Sequence, residues 1–78
     1  MPRYYFDVRD GDRFVPDEVG LVFPDIATAR DQATRALAEM ARDLLPGTVR
    51  REVAIEVKDE SRALLLRAGL SFEMRKLT

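Results

Sequence analysis

Tyr4, Phe6 and Val8 alternate with Arg3, Tyr5, Asp7 and Arg9. A period of two puts every second side chain on one face of a pleated strand, so residues 3–9 are expected to form a half-buried strand. Asp10-Gly11-Asp12-Arg13 follows as a turn, because Asp-Gly is a strong local signal for chain reversal. Phe14 and Val15 begin a return strand, but Pro16 and the acidic Asp17-Glu18 interrupt it. Gly20-Leu21-Val22-Phe23 is the piece expected to pair before the next element. The second strand is thus expected to be short or broken.

The pattern then changes period. From Asp25 to Leu45, the residues Ile26, Ala29, Ala33, Ala36, Leu37, Met40 and Leu44 advance by threes and fours. Asp31, Gln32, Arg35, Glu39, Arg42 and Asp43 take the rest of the surface, which makes this an amphipathic helix. Asp25 is placed to cap its first turn, and Pro46-Gly47 ends it. Alanine dominates the stripe, so the helix is expected to lie close against a flat sheet.

After the helix the period returns to two. Val53, Ile55 and Val57 alternate with Glu52, Ala54, Glu56 and Lys58, and Asp59-Glu60-Ser61-Arg62 is the next turn. Ala63–Leu66 is expected to be a strand that is apolar on both sides, hence central or covered on its outer face. Leu70, Phe72 and Met74 alternate again. Either the strand continues past a bulge at Gly69 or the chain doubles back as a fifth strand, with residues 70–78 an extension. The order strand, strand, helix, strand, strand specifies an α+β fold, one domain over residues 1–78, in which one helix packs on a mainly antiparallel sheet. One helix covers one sheet face. Tyr5, Ala54, Leu65 and Phe72 are the candidates for an apolar opposite face on which a second copy would pack, which makes a homodimer the expected state.

Composition narrows the chemistry. The chain has 78 residues, no cysteine and no histidine. Disulfides, thiolate nucleophiles and cysteine zinc sites are excluded, as is the commonest general base near neutral pH. Ser61 and Ser71 lack a base to activate them, Lys58 and Lys76 lack a Ser-x-x-Lys setting, and the four glycines are isolated turn residues rather than a phosphate loop. No enzymatic activity and no cofactor are therefore expected. The carboxylates Asp7, Asp10, Asp12, Asp17 and Glu18 form the densest acidic stretch, but their spacing matches no patterned calcium loop, and turn chemistry accounts for Asp10 and Asp12. No metal site is expected. No stretch is apolar for long enough to span a bilayer and the N-terminus has no secretory pattern, so a cytoplasmic protein without a membrane partner is expected.

Thirteen basic residues oppose 14 acidic ones, yet unevenly: six and nine fall in residues 1–49, seven and five in residues 50–78. Arg50, Arg51, Lys58, Arg62 and Arg67, with Arg75 and Lys76, are the candidates for contacting nucleic acid or an acidic partner from the C-terminal third.

Several motifs together resemble a known family. They are Met1-Pro2-Arg3-Tyr4-Tyr5-Phe6, continuing to Asp12; Asp17-Glu18-Val19-Gly20-Leu21; Phe23-Pro24-Asp25 leading into the Ala-rich helix; and Val57-Lys58-Asp59-Glu60. They resemble DUF6894, a family of very small bacterial proteins whose label is a domain of unknown function. That resemblance implies the element order and no activity. A fold-level likeness to HicB-type antitoxin domains lies in the short sheet and turn before an Ala-rich helix, and implies a small toxic nuclease as partner. The expected function is a non-enzymatic protein-interaction module acting as a homodimer. The alternative is a regulatory nucleic-acid-binding or antitoxin-like protein that uses the basic C-terminal third.

Overall fold

A computed structural model of the chain describes residues 1–78. The elements are β1 (Arg3–Asp10), β2 (Arg13–Val15), β3 (Leu21–Val22), α1 (Ile26–Leu44), β4 (Arg50–Lys58) and β5 (Leu64–Glu73). Every strand pair is antiparallel and the sheet order is β2-β1-β4-β5. The interrupted second strand is real. β2 pairs with Val8–Asp10 and β3 with Arg3–Tyr4, so two short pieces share one edge of β1 with a gap between them. With α1 laid across one face, the chain is a two-layer α+β sandwich.

Local chemistry explains the helix and its ends. Asp25 is extended, and its Oδ1 accepts from both the backbone N–H and the hydroxyl of Thr28 at 2.8 Å. One side chain thereby satisfies a free first-turn donor and sits at the positive end of the helix. Leu45 closes the other end by donating to the Ala41 carbonyl, before Pro46 and Gly47 redirect the chain. Ala29 and Ala33 are wholly buried on the sheet, while Ile26, the first residue of the stripe, remains 41% exposed.

Tyr4, Ile55 and Val57 meet those alanines in the core, flanked by Phe6, Val8, Phe23, Leu37, Met40 and Leu66. Phe23 closes the end of this layer, its ring edge-on to Phe6 at 6.1 Å. Only ten residues are buried in a molecule 53 × 22 × 17 Å. So thin a core leaves little stability in reserve, and single buried positions decide whether the domain folds.

The last strand departs from expectation in two ways. β5 runs unbroken through Gly69, which pairs in register with Ala54, and the irregularity falls earlier, opposite Val57 and Lys58. Gly69 needs no bulge because a strand accommodates glycine and no neighbour crowds its Cα. Nor is β5 central or covered: it is the edge strand, and Leu64 and Leu65 at its start are exposed.

Candidate functional site

The sheet face away from the helix carries the chain's polar chemistry. Tyr5, Asp7 and Arg9 of β1 stand opposite Lys58, Glu56 and Ala54 of β4, and Arg67 and Gly69 of β5 continue those rows. Asp7 and Glu56 are directly paired and both buried. Two facing carboxylates repel unless cations offset them. Here Lys58 Nζ lies 2.6 Å from Asp7, Arg9 Nε lies 3.1 Å from Glu56, and Arg67 lies 4.0 Å from Glu56 on its other side. The Phe14 ring sits beneath Arg9 and Lys58, and Arg62 stacks on Tyr5 at 3.9 Å. The expected apolar face is therefore a charged one, bonded internally.

Asp17 does the work that the second strand leaves undone. Between β2 and β3 the Phe6 N–H points to the sheet edge without a strand partner. Asp17 Oδ2 accepts from it at 3.0 Å, while Oδ1 accepts from Val19 and Gly20 at 3.0 and 2.9 Å. The Asp17 N–H in turn donates to Asp7 Oδ1 at 2.8 Å. Gly20 has to be glycine: its φ is +75°, and a Cβ there would lie 2.8 Å from the Tyr4 carbonyl oxygen. Arg62, held at φ 68°, donates to the Asp17 carbonyl at 3.1 Å. The turn after β4 is thereby tied to the loop before β3.

These bonds set a pH dependence. Burial pushes the Asp7 carboxyl up, but the Lys58 bond, the Asp17 N–H and the charges of Lys58 and Arg62 outweigh it and hold the group below its ordinary value. Burial likewise pushes Asp17 up, and the N–H groups of Gly20, Phe6 and Val19 with the Arg62 charge bring it below. A carboxylate whose folded value is depressed contributes stability that is complete above its unfolded value, about 3.9, and that is lost as pH falls through the folded value. The urea midpoint is therefore expected to hold steady from about pH 7 to 5, where no histidine titrates, and to fall below about pH 4. A midpoint rising on acidification would contradict this assignment.

Beside the Arg9–Glu56–Arg67 cluster lies a shallow groove of about 310 Å³, floored by Ala54 and Gly69 and walled by Arg9, Arg67, Glu52 and Ser71. Its floor is flat because that cross-strand pair has the two smallest side chains. Arg9 at the wall is in close contact with Glu56, whereas Arg67 stands off from it at 4.0 Å with its side chain largely exposed, so Arg67 is the one wall cation open to a further partner.

The DUF6894 model, a domain of unknown function, matches residues 3–71. The matched span covers the five strands and the helix, from the first residue of β1 to Ser71 near the end of β5. The chain belongs to the DUF6894 family. No curated protein and no solved structure matches it.

In this DUF6894 domain the predicted basic residues are not gathered together. Arg51 makes a two-pronged contact with Asp10 at 2.8 and 2.6 Å, on the helix-bearing face at one end of β4. Arg50 lies 3.7 Å from Glu73, whereas Lys58 and Arg62 occupy the opposite end of the strand. Arg50 and Lys58 lie eight positions apart at the two ends of β4, about 26 Å of sheet. The proposed dimer-face residues divide as well. Tyr5 and Ala54 share the open face, Leu65 lies at the irregular start of β5, and Phe72 pairs with Arg51 on the helix side. The acidic stretch disperses too, with Asp7, Asp10 and Asp17 each bound to a different partner, and no three carboxylates converge. Sequence reasoning missed Asp17 and Glu56. The signal for Asp17 was present in Asp17-Glu18-Val19-Gly20, an acidic side chain three residues before a glycine, a spacing that suits a carboxylate accepting from the following N–H groups.

Proposed function

We propose that this DUF6894 chain is a non-enzymatic protein-interaction module that acts as a homodimer and docks through the free edge of β5. The observation that carries the reading is the contrast between the two sheet edges. The β1 edge is closed by β2, by β3 and by the Asp17 carboxylate between them. The ten-residue β5 pairs only with β4, contains no proline, and leaves a row of backbone donors and acceptors on its outer side. An unguarded strand of that length is a template for adding another strand. The charged open face supports an edge contact over a face-to-face one, because burying its ion pairs would carry a desolvation cost. The nucleic-acid alternative is the weaker reading, since the cations it needs are spread apart and engaged with acids.

The test is solution mass by light scattering, alongside Ser71→Pro. Met74 donates to the Val49 carbonyl, so from Leu66 onward the even-numbered residues of β5 direct their N–H groups to β4 and the odd-numbered ones direct theirs outward. Proline at 71 thus removes an outer donor and spares the β4 ladder. The wild type is expected at twice 8.9 kDa and Ser71→Pro at the monomer mass with an unchanged far-UV spectrum. A monomeric wild type, or a Ser71→Pro dimer, would sink the proposal.

A further inference from the structure

We propose that a second copy adds to β5 in a two-fold antiparallel register centred on Leu70, which sets Arg67 against Glu73 of the partner subunit at two symmetric places. The inference rests on β5 being the docking edge and adds the register. Past the irregularity the outward N–H groups belong to Arg67, Gly69, Ser71 and Glu73, so these must meet one another across the new ladder. The regular part of the strand begins at Leu66, past the irregularity, and ends at Glu73. Registers centred on Gly69 or Leu70 use nearly all of it. Centring on Gly69 sets Glu73 against Leu65, an acid against an exposed leucine. Centring on Leu70 sets Arg67 against Glu73 and Gly69 against Ser71, matching charge with charge.

The other face of the strand agrees. Centred on Leu70, the small Ala68 stands opposite the large Phe72, and Leu66 stands opposite Met74. These side chains extend the row that β5 presents under the helix, where Leu66, Ala68, Leu70 and Phe72 are half-buried and Met74 is exposed. A continuous ten-stranded sheet, β2-β1-β4-β5 with β3 on β1 joined to its two-fold mate, would then share one apolar layer across both copies. Arg67 and Glu73 are available for this pairing. The Arg67 side chain is 57% exposed at 4.0 Å from Glu56, and Glu73 is held only by the exposed Arg75 and Arg50.

The absence of cysteine makes the register directly measurable. Facing residues of a non-hydrogen-bonded antiparallel pair have Cα atoms about 4.5 Å apart, within disulfide reach, and residues two positions off do not. Under oxidation Leu70→Cys is expected to become a covalent dimer, and Gly69→Cys and Ser71→Cys are expected to remain uncrosslinked. In parallel, Arg67→Glu and Glu73→Arg are each expected to weaken dimerisation on the order of tenfold or more, and the double variant to restore it. Crosslinking through Gly69→Cys or Ser71→Cys in a protein that Ser71→Pro still dissociates would overturn the register and leave the edge reading standing. A double variant as weak as the singles would likewise overturn the register. A wild type that is monomeric throughout overturns both.

Discussion

Ala33→Asp is expected to abolish cooperative folding. Ala33 has no solvent exposure and lies in the layer between α1 and the sheet, among Tyr4, Ile55 and Val57. A carboxylate there has no cation within the apolar cluster and no water, so the chain must bury an unpaired charge, take up a proton, or lift the helix from the sheet. Any of these costs about 5 kcal/mol, comparable with the whole stability of a domain this size. Thermal unfolding followed by circular dichroism is the measurement, with no sharp transition as the expected result. Ala38→Asp is the control, because Ala38 is exposed on the same helix and the identical change there carries only a helix-propensity cost of about 0.7 kcal/mol. If Ala33→Asp melts like Ala38→Asp, the assigned helix face is wrong.

The second large effect is expected at Asp17, which lies outside every helix and strand. Asp17→Ala removes a carboxylate that accepts from the N–H groups of Phe6, Val19 and Gly20. Hydrogen bonds to a charged group contribute about 1.5–3 kcal/mol each when well shielded, and this site is half-exposed, so a total loss of about 3 kcal/mol is expected. Hydrogen exchange identifies the cause. The Phe6 amide, left without an acceptor between β2 and β3, should exchange much faster, while amides in the β4–β5 ladder keep their relative protection. Asp17→Asn retains one accepting oxygen and should fall between alanine and wild type. Uniform loss of protection across β1, β4 and β5 would instead mean that Asp17 supports the entire core rather than the edge of β1.

Both predictions concern a fold whose outline was legible in the residues. The alternation of residues 3–9, the Ala-rich helix from its Asp25 cap to Pro46, and the broken second strand each follow from interactions among near neighbours in sequence. Periodicity and capping act over four or five positions, so a single chain displays them. The face opposite the helix is charged rather than apolar because Asp7, Arg9, Glu56 and Lys58 stand on it beside Tyr5 and Ala54. Glu56 is buried all the same, compensated by Arg9 and Arg67 from two other strands, and no local pattern announces such a partnership. Leu65 and Phe72, expected on one face, lie seven positions apart. On a regular strand an odd separation means opposite faces, and only a bulge or reversal between them could have joined them. The bulge fell before Leu66 instead.

Element type, element order and the helix stripe were thus settled by local periodicity and backbone chemistry along the chain. The order of strands across the sheet, the burial of Asp7 and Glu56, the bridging carboxylate of Asp17 and the open edge of β5 were settled by tertiary structure. Each of these joins residues far apart in sequence, as Phe6 to Asp17, Arg51 to Asp10 and Arg62 to the Asp17 carbonyl show. Such contacts exist only once loop closure has brought the segments together, and their energies depend on burial that no single segment creates.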